Sequence, residues 1–347
     1  MNFPSSYVLI PRMENTAFKN IAIIGDGAMG TVCGILLCEK SIPVRIWGHD
    51  RAQLEVFKAS RENTLFLPGT KLPDALEFQS DDAQIFAGVD LIVAAVPCQF
   101  IRPVFTRLKP YVPEFIPVVS VAKGIENKTL MRPSQILQQV LYQDLKVAAL
   151  SGPTIADELV RKLPATACAA SADLDLAIAV QMTFNINWFR VYTNADIVGV
   201  ELAGALKNVI AIAAGIIDGI GAGDNAKAAL LSRGLSEITR LGVALGAEER
   251  TFSGLTGLGD LVTTCISPSG RNRSLGHRIG QGQGVKEALG ATRSVVEGVA
   301  TCESVVALAE KVGIEMPITQ AVYAVLFENK SVKDAISDLM TRKLKAE

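Results

Sequence analysis

Neither sign of charge predominates in this chain. Its 34 lysines and arginines stand against 35 aspartates and glutamates, a formal net charge of −1. No overall field is therefore available to hold nucleic acid or an anionic membrane surface, and any anion must be caught locally. Cysteine is sparse and unpatterned. Cys33, Cys38, Cys98, Cys168, Cys265 and Cys302 are scattered without C-x-x-C spacing, mostly in apolar stretches where a thiol behaves as a small hydrophobe. That usage predicts a reduced, cytoplasmic setting, and no metal site is expected. The first twenty residues lack the charged start and unbroken apolar stretch of a secretory signal. Residues 1–18 read instead as a frayed extension, with Met13 as an alternative start. Low-complexity segments and fixed-period repeats are also missing. The most apolar helical pattern, residues 202–217, is shorter than the roughly 20 residues a membrane span needs, and it carries Lys207 and Asn208 mid-way. It reads as the core of a soluble domain, without stable membrane insertion.

At 347 residues the chain exceeds the usual size of a single core, which favours two domains. Short β-branched runs at 21–24, 44–47, 91–96, 118–121, 147–150, 166–170 and 190–192 alternate with helical stretches. That rhythm belongs to a mainly parallel sheet with helices on its faces. Beyond Asn194 the strand signal stops, and residues 199–246 form a helical pattern broken at Gly219-Ile220-Gly221-Ala222-Gly223-Asp224. The predicted fold class is α/β, an N-terminal Rossmann doubly wound sheet over 19–196 followed by an all-α C-terminal domain over 197–347. Two domains joined without a flexible linker should form a cleft.

The first strand runs into Gly25-Asp26-Gly27-Ala28-Met29-Gly30, and a helix-compatible stretch follows. With those flanks the G-x-G-x-x-G predicts a dinucleotide site. Gly25 permits the tight turn, Gly27 lets backbone approach a pyrophosphate at the helix N-terminus, and Gly30 allows close packing of helix on strand. The second strand normally ends on an acid that grips the ribose hydroxyls, but that place falls near Gly48. With His49 and Arg51 beside it, NADP is as open as NAD, although Asp50 could swing in; equally, His49 and Arg51 could belong to a solvated loop.

In a doubly wound sheet the ligand lies beyond the carboxyl ends of the strands. Lys123-Gly124 follows one such end and Ser151-Gly152-Pro153-Thr154 another, putting an amine, a hydroxyl and backbone N–H groups at one rim. Lys207 stands in a helix otherwise made of hydrocarbon. A buried ammonium either finds a partner or shifts its pKa and goes neutral, the two behaviours a proton-transfer catalyst uses. Farther on, glycines crowd around Asp260, and Ser269-Gly270-Arg271-Asn272-Arg273 opens a helix. Backbone donors with a guanidinium fork would cradle an anion there; a glycine-rich surface loop is the plainer alternative.

Taken together, these segments, with Val296-Glu297-Gly298 and Glu315-Met316-Pro317-Ile318, resemble the bacterial NAD(P)-dependent glycerol-3-phosphate dehydrogenases from about Lys19 to Lys330. The resemblance implies a Rossmann domain followed by a helical substrate domain, paired as a homodimer. It implies interconversion of dihydroxyacetone phosphate and sn-glycerol 3-phosphate, which supplies glycerol 3-phosphate for glycerophospholipid synthesis. Carried over by position, Lys207 matches the proton donor or acceptor, Lys123 the lysine touching substrate and nicotinamide, and Asp260 the group that fixes Lys207. Gly152, Thr154, Gly270, Arg271 and Asn272 match the substrate shell. Ala28, Met29, His49, Ala156, Val295 and Glu297 match cofactor positions, with Arg271 serving both ligands. Two positions depart from the pattern. Gly270 stands where the family commonly has serine, so that phosphate contact must come from a backbone N–H or from Ser269. Met29 stands where an aromatic residue is frequent. Alternatives are a β-hydroxyacid dehydrogenase of related fold, which would bind a carboxylate, or a non-catalytic nicotinamide sensor.

Overall fold

The protein is described by a computed structural model over residues 18–292 and 295–344. All but one residue of the expected extension, Met13 included, lies outside the described residues. Eight strands form one sheet: β1 (Ile21–Ile24), β2 (Val44–Trp47), β3 (Leu76–Gln79), β4 (Leu91–Ala94), β5 (Val118–Ser120), β6 (Val147–Ser151), β7 (Ala165–Ala170) and β8 (Phe189–Asn194). Their order is β3-β2-β1-β4-β5-β6-β7-β8. Every neighbouring pair is parallel except β6–β7.

Strand burial follows from covering both faces. Ile21 and Ile23 of β1 enter a core with Val32 and Leu36 of the first helix (Ala28–Glu39), while Ala22 and Ile24 enter a second core with Trp47 and Phe105. A strand buried on both sides must be apolar throughout, which is why these runs are conspicuous in the sequence. β3 is the strand that sequence patterning does not reveal. It lies at the sheet edge, and only Leu76 and Phe78 are buried in it, too short a signal to stand out. Strand order reverses at β1, with β2 on one side and β4 on the other, so the ligand crevice of such a sheet opens above their carboxyl ends.

Beyond Asn194 no strand occurs among the described residues, and the helix Ile197–Gly219 begins. Asp196 caps it, accepting from the Gly199 N–H at 2.8 Å, and also accepts from the Glu248 N–H (2.8 Å) and Thr251 Oγ1 (2.7 Å). At 23 residues this helix is longer than its apolar pattern suggested, long enough by length and composition to cross a membrane. Burial decides the matter instead: every residue from Gly199 to Ile216 is buried, and the helix forms the spine of the helical half. Its buried Glu201 is paired with Arg132 and accepts from the Ser134 N–H (2.7 Å) and Oγ (2.6 Å).

Two close approaches set what surrounds the spine. At Gly204 an added Cβ would lie 2.9 Å from Ser151 Oγ, so the spine rests on the carboxyl rim of the sheet. At Gly215 a Cβ would fall 2.0 Å from the Arg273 carbonyl oxygen, and at Gly276 1.9 Å from that of Ile212. Backbones touch there, which fixes where the helix Arg271–Gly280 starts relative to Lys207.

Candidate active site

Lys207 and Asp260 meet inside the helical half. Lys207 is 5% exposed and Asp260 1%. Lys207 Nζ donates to Asp260 Oδ1 at 2.6 Å and to Thr264 Oγ1, while Lys123 Nζ donates to Asp260 Oδ2 at 2.7 Å and to the Gly152 carbonyl at 2.9 Å. One carboxylate thus bridges two ammonium groups. Thr264 lies one helical turn after Asp260 on the helix Asp260–Ile266, so both face Lys207. A π-helical turn, Leu255–Gly259, delivers Asp260, and it needs Gly257, where a Cβ would fall 2.0 Å from the Phe252 carbonyl oxygen.

Burial pushes the Lys207 ammonium down, to about 8, the Lys123 ammonium pushes the same way, and Asp260 pulls it back up. Desolvation outweighs the ion pair because Lys207 is buried in the spine. An amine held near 8 exchanges its proton readily at physiological pH.

Around this bridge, Gly152 holds φ +141°, and a Cβ there would lie 3.0 Å from Ala167 Cα. Thr154 Oγ1 donates to the Gly152 carbonyl at 3.1 Å, bringing Thr154 to the oxygen that also receives Lys123. A second group assembles where three helices meet. Asn272 Oδ1 accepts from the Gly298 N–H at 2.9 Å, and a Cβ on Gly298 would lie 2.8 Å from the Asn208 carbonyl oxygen. Arg271 donates to the Val295 carbonyl at 3.0 Å. Glu297 opens the helix Glu297–Val312; burial pushes its carboxyl up, against the pull of Arg271, Lys123 and Lys207 and of the Cys98 backbone N–H. Glu297 is therefore the electrostatic link between the two groups.

Some expectations are corrected. Arg273 does not join an anion cradle: its Nε and Nη2 pair with Asp218 at 2.7 and 2.6 Å, tying its helix to the end of the spine. The Gly270 N–H donates to the Ser267 carbonyl at 3.3 Å and the Ser269 N–H to Ser267 Oγ at 3.3 Å, so these residues fold the turn that precedes Arg271. Asp50 does not swing toward the ribose place; its carboxylate caps the helix Arg51–Ser60, accepting from the Ala52 and Gln53 N–H groups at 2.9 and 3.2 Å. His49 and Arg51 are exposed beside it. Thr264 was not singled out by its residue type; only its helical spacing from Asp260 could have marked it.

The glycine loop fits a dinucleotide on a test internal to the structure. Gly25 holds φ +119°, with a Cβ position 2.8 Å from Ala95 backbone, and a Cβ on Gly30 would sit 2.1 Å from the Gly25 carbonyl oxygen. Packing alone demands those two glycines. At Gly27, in contrast, nothing lies within 4 Å of the Cβ position. That open space is what a pyrophosphate approaching the backbone requires, and no side chain caps the helix that starts there. Ala28 and Met29 form its first turn, and both pack, with Ala156, on the core beneath.

Comparisons with known proteins agree over most of the chain. Residues 20–177 match the family model described as NAD-dependent glycerol-3-phosphate dehydrogenase N-terminus, and residues 196–337 match the C-terminus model. The chain belongs to the NAD-dependent glycerol-3-phosphate dehydrogenase family. The dehydrogenase is 48% identical over 331 residues to glycerol-3-phosphate dehydrogenase [NAD(P)+] of Citrifermentans bemidjiense, covering 95% of this chain and 99% of the relative. Among solved structures it is similar to the Coxiella burnetii glycerol-3-phosphate dehydrogenase (TM-score 0.90, 35% identity, 94% of this chain and 100% of that one). It is also similar to that of Saccharomyces cerevisiae (TM-score 0.79, 28% identity, 93% and 99%).

Proposed function

We propose that this dehydrogenase interconverts dihydroxyacetone phosphate and sn-glycerol 3-phosphate with NAD or NADP, supplying glycerol 3-phosphate for glycerophospholipid synthesis. The observation that carries the reading is the carboxylate of Asp260 shared between Lys207 and Lys123 at the sheet's carboxyl rim. In the reducing direction Lys207, as ammonium, polarises the substrate carbonyl and gives it a proton; in the oxidising direction its neutral amine takes the hydroxyl proton. The nicotinamide, when bound, supplies or receives the hydride. Lys123 steadies the substrate and, through Asp260, Lys207. Gly152, Thr154 and Asn272 shape the substrate pocket, and Arg271 with the uncapped N-terminus of its helix receives the phosphate. Gly25, Gly27, Ala28, Met29, Gly30, His49, Arg51, Ala156, Val295 and Glu297 hold the cofactor. Residues 19–196 and 197–347 serve as its two domains. A homodimer, on the strength of the family resemblance, and a cytoplasmic setting, from the scattered free cysteines, belong to the same proposal.

The direct test is an absorbance assay of purified protein. Reduced cofactor is expected to be consumed on adding dihydroxyacetone phosphate, and oxidised cofactor to be left untouched by 3-hydroxyisobutyrate. Turnover of the hydroxyacid alone would restore the β-hydroxyacid alternative, and binding without turnover of either the sensor. Arg271→Ala is expected to raise KM for dihydroxyacetone phosphate by roughly 10- to 150-fold, as for loss of about 1.5–3 kcal/mol in hydrogen bonding to a charged group. Unphosphorylated dihydroxyacetone should be affected far less. Equal losses for both would assign Arg271 to the cofactor or the fold.

A further inference from the structure

The fingerprint acid of a dinucleotide fold belongs at the end of β2, and here that position is Gly48. Its space is nevertheless filled by a carboxylate. A Cβ on Gly48 would lie 2.6 Å from Asp26 Oδ2 and 2.8 Å from Asp26 Cγ. We propose that Asp26, from inside the phosphate loop, takes over the ribose-binding role of the missing β2 acid and gives the enzyme a preference for NAD over NADP. This rests on the function proposed above and deepens it by naming the residue that discriminates the cofactor.

Four observations support the assignment. Asp26 is held in place: Gln53 Nε2, from the first turn of the helix after β2, donates to Oδ2 at 3.1 Å. The loop beneath is held as well. Asn63, fully buried, donates through Nδ2 to the Asp26 carbonyl at 2.9 Å and to Thr31 Oγ1 at 2.8 Å. The rival carboxylate, Asp50, is spent on capping the helix Arg51–Ser60. Finally, a Cβ on Gly48 would crowd the Asp26 carboxylate and displace it, so the glycine leaves Asp26 its place.

Chemically, a carboxylate at this place accepts hydrogen bonds from vicinal ribose hydroxyls and repels a phosphate on the 2′-oxygen. Arg51, exposed at the start of the helix after β2, is the cation that would favour that phosphate, with the exposed His49 beside it. Gln53 fixes Asp26 in the place of the missing acid, whereas the His49 and Arg51 side chains lie exposed, so the carboxylate sets the preference.

The test is a binding titration of the full-length protein with NADH and with NADPH, followed by nicotinamide fluorescence and independent of turnover. NADH is expected to bind at least about tenfold more tightly. Asp26→Asn is expected to shrink that ratio at least about fivefold, chiefly by improving NADPH. Equal or tighter binding of NADPH by the unaltered protein overturns the proposal and leaves the dehydrogenase assignment standing, as does an Asp26→Asn variant with an unchanged ratio. Failure of both cofactors to bind overturns the assignment itself. Should Asp26→Asn not fold, competition of adenosine 5′-monophosphate against adenosine 2′,5′-bisphosphate on the unaltered protein decides instead: a tighter bisphosphate overturns the proposal.

Discussion

Lys207→Ala is expected to lower kcat by roughly 100- to 10,000-fold, the usual contribution of one well-placed acid or base, while substrate and cofactor still bind. The variant removes the amine that faces Asp260 and Thr264 but leaves Asp260 paired with Lys123, so the site keeps its shape. Lys207→Met, which keeps most of the buried volume, separates lost chemistry from a cavity. The pH dependence supplies a signature that packing cannot imitate. With the ammonium held at about 8, kcat for oxidation should rise as pH passes that value, because the neutral amine is the base. For reduction it should fall over the same range, because the ammonium is the acid. Both limbs should vanish in the Lys207 variants. Near-normal turnover in either variant would remove Lys207 from the chemistry.

Asp260→Asn should have the second-largest effect, by a different route. It leaves Lys123 and Lys207 facing an amide that cannot neutralise them. Removing one partner of a buried ion pair typically costs about 3–5 kcal/mol, and Lys207 can escape part of that by shedding its proton. Its pKa should therefore move further below 8. The oxidation limb then shifts to lower pH, and reduction loses its acid at neutral pH. Stability carries the same sign. A lysine whose folded pKa is depressed costs stability below that pKa, and the cost is relieved as pH rises toward the unfolded value of about 10.4. Denaturant melts should accordingly show the variant most destabilised below the lowered Lys207 pKa and recovering as pH rises from there toward about 10.4. A pH profile that keeps its wild-type limbs would refute the bridging role.

How much of the site was legible depended on what each residue's neighbours in sequence say about it. Lys207 announces itself because an ammonium inside a hydrocarbon helix is anomalous whatever the fold. Gly25, Gly27 and Gly30 are legible because their flanking strand and helix are local. β3 was not, since an edge strand with two buried residues carries almost no periodic signal. Arg273 and Asp50 looked like site residues for the same local reason that Arg271 and the absent β2 acid did. Arg273's partner, Asp218, lies 55 residues away and is a matter of geometry, whereas Asp50's are the N–H groups two and three residues on, a local N-cap.

From its order of residues alone the protein was committed to a parallel sheet with a phosphate loop, a helical second half and a reactive amine. Those features arise from periodicity, turn chemistry and local burial, which neighbouring residues encode. That Lys123 and Lys207 share the one carboxylate of Asp260, with Thr264 beside it, came only with the packed chain, because contacts spanning 53 to 137 residues leave no trace in a local pattern. So did the ranking of burial above charge in the pKa of Lys207, since desolvation depends on which atoms surround the nitrogen in three dimensions. The arrival of Asp26 in the place beside Gly48 is of the same kind: the parallel pairing of β1 with β2, not chain proximity, sets the loop after β1 beside the end of β2.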